Sequence, residues 1–144
     1  MKANSTKIFD SYLKNGFTEA GFFKESVNFD KNFEDPVHSI RRQSEGLYAI
    51  FHFLAYEKEK GRKHPEWEQR LKKMLDMFLQ LQNADGSFPR KFRDDFTIVD
   101  KSGGSTPSAT LPLVMGYKYF KDKRYLDSAK RAADYLEKEL ISKA

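Results

Sequence analysis

The chain has 144 residues, of which 39% are apolar and 33% charged, the composition of one soluble, globular domain with a real core and a heavily solvated surface. Its net charge of +5 comes from 26 basic residues interspersed with 21 acidic ones, and the absence of long like-charge runs argues against nucleic acid as a partner. The lack of cysteine excludes disulfides, thiol catalysis and thiolate metal sites. No export signal, no membrane span and no particular compartment can be read from the chain, because neither the start nor any later segment holds the necessary apolar run.

In chain order, the spacing predicts a first helix over Asn4 to Asn15, capped by Asn4 or Ser5, with Ile8, Tyr12 and Leu13 on one face. From Phe17 to Pro36 the periodicity breaks down, and phenylalanines at 17, 22, 23, 29 and 33 pin an irregular, partly extended segment to the core. A second helix is expected from about Ser44 to Lys60, ended by Gly61. Its apolar residues, Leu47 to Tyr56, cover nearly the whole circumference, which predicts burial on all sides. A third runs from Pro65 to Gln82 with one stripe, Trp67, Leu71, Met74, Leu75 and Phe78, as an outer helix would.

Between Gln82 and Thr110 lies a polar, glycine-rich connection far longer than two packed helices need, and loops of that length are commonly functional. Arg93-Asp94-Asp95 is placed to reverse a hairpin between Ser87–Phe92 and Phe96–Val99. A fourth helix is expected from near Pro107, again apolar on all sides from Leu111 to Phe120. Pro112 falls early enough in it to be tolerated. Asp122 and Lys123 then turn the chain into a fifth helix, Arg124 to Ser142, with a single stripe.

Inner and outer helices therefore alternate twice: Trp67 answers to Tyr125, Leu71 to Ala129, Leu75 to Ala133 and Phe78 to Leu136, each 58 positions on. Two such hairpins do not enclose their own inner helices, so a further element has to cover them.

The turn Gln82-x-x-Asp85-Gly86-Ser87-Phe88, the run Gly103-Gly104-Ser105-Thr106-Pro107-Ser108-Ala109 and the outer-helix pattern Arg124-Tyr125-Leu126-x-x-Ala129 resemble the α/α toroids of the six-hairpin glycosidase type. Glycoside hydrolases, polysaccharide lyases and unsaturated-glucuronyl hydrolases share that architecture. The resemblance spans roughly Ser39 to Ala144 and implies an all-α fold of antiparallel helical hairpins, a partial barrel whose long loop carries a β-hairpin. It divides one domain into an N-terminal helix and irregular segment (1–36), a first hairpin (37–83), the long loop (84–106) and a second hairpin (107–144). Six hairpins would need about 350 residues. The chain is therefore expected to be part of a longer one or to complete its barrel as a homo-oligomer.

The resemblance also implies a saccharide cleft at the loops preceding the inner helices, with an oligosaccharide or polysaccharide as partner. Free N–H groups at helix starts suit the carboxylates of uronic acids, and Arg41, Arg42 and Arg90 offer bidentate donors. Ser105 and Thr106 join that substrate-binding set, and Phe88 and Phe92 are placed to stack on sugar faces. Glycoside hydrolysis needs two carboxyl groups about 5–10 Å apart, for which Asp94, Asp95 and Glu45 are the candidates. The plainer reading has the aspartates as turn residues and Glu45 with the arginines satisfying a helix start. The histidines, His38, His52 and His64, show no metal-ligand spacing, and neither metal nor cofactor is expected. Against the enzyme reading stands a non-catalytic helical module that binds another chain or itself.

Overall fold

The computed structural model describes residues 2–25, 27, 28 and 33–141. In chain order the elements are α1 (Lys2–Asn15), β1 (Val27–Asn28), β2 (Phe33–Glu34), β3 (Val37–Ser39), α2 (Ile40–Glu59), α3 (Pro65–Leu81), β4 (Lys91–Arg93), β5 (Ile98–Asp100), α4 (Thr106–Phe120) and α5 (Lys123–Leu136). A π-helical turn, Glu137–Ile141, continues α5. All five helices expected from periodicity are present, yet the all-α class is wrong. β3, β4 and β5 form an antiparallel sheet with β4 in the middle, and β1 pairs with β2. The chain is a mixed helix-and-sheet fold, and the described residues close no toroid.

The sheet forms where apolar residues alternate with polar ones rather than recurring at helical spacing. In β3 and β4, His38 and Phe92 are register partners and both are buried, whereas Val37, Ser39, Lys91 and Arg93 flank them. Successive side chains on a strand point to opposite faces, so one face packs on the core and the other is left to solvent. The hairpin in the long loop is real, with its strands shorter than the sequence suggested and its reversal over residues 94–97. Phe96 takes the left-handed position, φ 67°.

Helix α2 begins four residues earlier than expected, because Ser39 rather than Ser44 is its cap and accepts from the Arg42 N–H at 3.1 Å. Ser44 lies within the first turns instead and returns its hydroxyl to the Ile40 carbonyl at 2.6 Å. At the other end, buried Glu57 accepts from Arg62 and meets His64 Nε2 at 2.9 Å, which ties the end of α2 to the start of α3. Helix α3 buries the expected stripe, Trp67 to Phe78. In α5 the buried positions are Tyr125, Ser128, Ala129 and Ala132, and Ala133, named by the 58-residue repeat, is exposed. The last turn of the expected fifth helix is π-helical, and Ser142 lies outside the described residues.

Helix α4 packs between α2 and α5. Neither α2 nor α4 is buried on all sides: Tyr48, Tyr56 and Leu111 are 41%, 53% and 49% exposed. The described residues leave these three side chains largely uncovered, whereas Val114, Met115, Tyr117, Tyr119 and Phe120 of α4 pack against the core. On α1 the expected apolar face is likewise open, with Ile8 and Tyr12 exposed and Leu13 half-buried.

The irregular segment after α1 is pinned as expected by Phe17 and Phe22, which are buried, and by Phe23. Phe17 lies 5.7 Å from the Trp67 ring and Phe22 5.1 Å from Phe92. Gly46 leaves the gap on α2 that Phe23 fills; a Cβ there would come within 2.6 Å of the ring. Phe29 lies outside the described residues.

Candidate functional site

The start of α2, the edge of the sheet and the start of α4 meet around a pocket of about 550 Å³. Its walls carry four cationic side chains, Arg41, Arg42, Arg90 and Lys91, against two carboxylates, Glu25 and Asp35. The local sequence explains the grouping. Ser39 and Lys91 are register partners in the sheet, and the Ile40 N–H donates to the Arg90 carbonyl at 3.0 Å. The β3–β4 ladder therefore delivers Arg90 and Lys91 to the first turn of α2, where Arg41 and Arg42 already sit. Ser105, at the cap position of α4, completes the wall.

The arginines are held loosely. Arg90 Nη1 lies 3.6 Å from Asp100, and Arg41 Nε lies 3.2 Å from Glu45 one turn along the same helix; all four side chains are substantially exposed. Exposed pairs of this kind contribute roughly 0–1 kcal/mol, so either guanidinium can turn to a ligand at small cost. Glu25 is placed differently. Both its oxygens accept from the Ser39 N–H, at 2.9 and 3.0 Å, and Oε1 also accepts from Gln43 Nε2 at 3.1 Å. Gln43, fully buried, in turn holds the backbone of Phe23 through both ends of its amide. A carboxylate thus already sits at the positive end of α2. Asp35 accepts from the Val37 N–H at 2.9 Å.

Of the residues nominated from sequence, Arg41, Arg42, Arg90 and Ser105 come together on this pocket, and the others do not. Phe88 and Phe92 are fully buried and offer no face to a sugar; they pack the turn and the hairpin against the core. Thr106 is fully buried as well, and its hydroxyl accepts from the Phe88 N–H at 3.0 Å. Asp94 accepts from Thr18 at 2.9 Å and meets His38 Nε2 at 2.7 Å, bracing the hairpin turn to the segment after α1. Asp95 accepts from the Thr97 N–H and hydroxyl within its own turn, which holds its carboxyl below the usual range. Glu45 lines a separate, shallow groove between α2 and α4 with Tyr48 and Leu111. Neither Asp94 nor Asp95 lines that groove.

The Gln82–Phe88 turn proves to be a brace. Gln82 donates to the carbonyls of Gly86 and Ser128 and accepts from Ser128 and Arg131. Asp85 accepts from the Ser87 hydroxyl and N–H, which lowers its pKa. Glu25, Asp35 and Lys91 were missed. Glu25 and Asp35 lie within a stretch without periodicity, and only the sheet register brings Lys91 to the helix start. Among the described residues no group of three His, Asp or Glu is arranged to hold a metal, and no helix is long and apolar enough to cross a membrane.

No family model matches the chain. Among solved structures it is similar to the crystal structure of a sugar epimerase from a ruminal bacterium, with a TM-score of 0.68 over 94% of this chain and 18% identity. The chain shares its fold with part of a sugar epimerase. It covers 35% of that protein's chain, and at this identity the likeness concerns the fold alone.

Proposed function

We propose that the chain is part of a carbohydrate-active protein and that the pocket at the start of α2 receives an acidic group of an oligosaccharide, such as a uronate. The observation that carries this reading is the convergence of Arg41, Arg42 and Arg90 on the N-terminus of a 20-residue helix. A positive dipole end and forked guanidinium donors both suit a carboxylate. The fold shared with a sugar epimerase supports a saccharide as the carrier of that group. Because Glu25 and Asp35 are engaged with backbone N–H groups, the reading is one of recognition, not of hydrolysis or elimination by these residues.

Calorimetric titration with acidic and neutral oligosaccharides tests it. Acidic oligomers are expected to bind, neutral ones of the same length to bind more weakly, and Arg90→Ala to cost about tenfold in affinity, about 1.4 kcal/mol. Equal binding of charged and neutral oligomers, or none of either, would sink the proposal.

The exposed Tyr48, Tyr56 and Leu111 favour a second reading, a self-assembling helical module whose α2–α4 face meets a second copy of the chain. Light scattering distinguishes the two. The second reading requires a species larger than the monomer, and one that Leu111→Lys dissociates without changing saccharide affinity.

A further inference from the structure

Glu25 occupies the position at which the proposed reading places a ligand's carboxylate. It is the one acidic side chain in the pocket that meets the N-terminus of α2, gripping a single N–H with both oxygens. No described arginine or lysine pairs with it. Arg90 turns instead to Asp100 and Arg41 to Glu45. A carboxylate that served only as an ion-pair partner would be expected to draw in the nearest arginines. This one sits where an incoming anion would sit, with three arginines around it unpaired to it.

The tether is the segment after α1. Gln43 holds Phe23 through both ends of its amide and reaches Glu25 with the same Nε2 group. Phe17 and Phe22 fix the segment further back. Swinging the Glu25 side chain out of the pocket therefore leaves the Gln43–Phe23 contacts in place, and the released Ser39 N–H passes to whichever anion replaces it.

We propose that Glu25 is a built-in competitor: a tethered carboxylate that fills the anion position at the start of α2 and must be displaced before an acidic ligand binds there. The inference rests on the saccharide reading for its ligand but not for its mechanism. Any anion that needs the Ser39 N–H has to compete with Glu25. Apparent affinity is reduced by the fraction of molecules with the position open. If that fraction is about one in ten, removing the carboxylate tightens binding about tenfold.

The test is calorimetric titration of wild type, Glu25→Gln and Glu25→Ala with trigalacturonate and, in parallel, with inorganic sulfate. Thermal melts check that the variants fold; Glu25→Gln keeps an acceptor for Ser39 and decides the matter if Glu25→Ala does not fold. The expected result is tighter binding of both anions in the variants, about tenfold for Glu25→Ala and less for Glu25→Gln. Unchanged or weaker binding in the variants, with wild-type binding intact, would overturn the competitor and leave the saccharide reading standing. Tightened sulfate binding without any uronate binding would uphold the competitor and remove the saccharide reading. Failure of every form to bind either anion would overturn both.

Discussion

At the scale of single residues, the chain separates side chains that hold the fold from those that face the pocket. Gln82 belongs to the first kind, since its amide joins the Gly86 and Ser128 carbonyls and the Ser128 hydroxyl. Gln82→Leu strands those partners and is expected to cost about 1–3 kcal/mol, read from chemical denaturation, with anion affinity unchanged. Glu57 is a second such residue. Arg62 first, then His64, hold its carboxyl below the ordinary value of 4.5 despite burial. A depressed folded-state pKa stabilises above the unfolded value and loses that contribution as pH falls through the folded one. The melting temperature is therefore expected to fall as pH drops below 4.5, more steeply for wild type than for Glu57→Gln. Sequence alone left the roles of the candidate acids open at this scale, because Asp94 and Asp95 carry the same chemistry whether they serve a reaction or a turn. Their contacts with Thr18, His38 and Thr97 show the bracing role, which sequence could not.

At the scale of elements, helices were legible and strands largely were not. A 3.6-residue period repeated over four or five turns, as in Trp67 to Phe78, outweighs any single exception. Strands of three residues such as Val37–Ser39 show barely one alternation and are held by pairing with residues more than fifty positions away. The hairpin was visible because Asp94-Asp95 marks its reversal locally, but β3 joining it was not. The Asp85-Gly86 turn was legible for a physical reason that the structure supplies. Gly86 has φ +94°, and a Cβ would collide with the Arg131 carbonyl oxygen of α5. Gly86→Ala is expected to cost about 1–3 kcal/mol and to lower the melting temperature; an unchanged melt would mean that the turn is not what docks α5.

At the scale of the whole molecule, four of the seven substrate-binding residues read from sequence, Arg41, Arg42, Arg90 and Ser105, lie on one pocket. Arg41 and Arg42 were found through their position at a helix start, and Arg90 through its place on the long loop. What sequence could not show is that β3 and β4 would bring these two stretches together, or that Glu25 would arrive from a third. The open faces of α2 and α4 were foreseen in the need for a covering element, and they remain exposed among the described residues. If charge recognition at the pocket governs binding, affinity for an acidic oligomer is expected to fall as salt is raised from 0.05 to about 0.5 M, in step with a shortening Debye length. Hydrophobic docking on the α2–α4 face would show little such dependence.

The central claim is that the basic pocket at the start of α2 is where an acidic saccharide binds. The most direct measurement is a titration of isotope-labelled protein with an oligouronate, followed by the backbone amide resonances. The account predicts that shifts concentrate at Ser39 to Arg42, at Arg90 and Lys91, and at Ser105. Shifts confined to the Glu45, Tyr48 and Leu111 groove, or none at saturating oligomer, would contradict it.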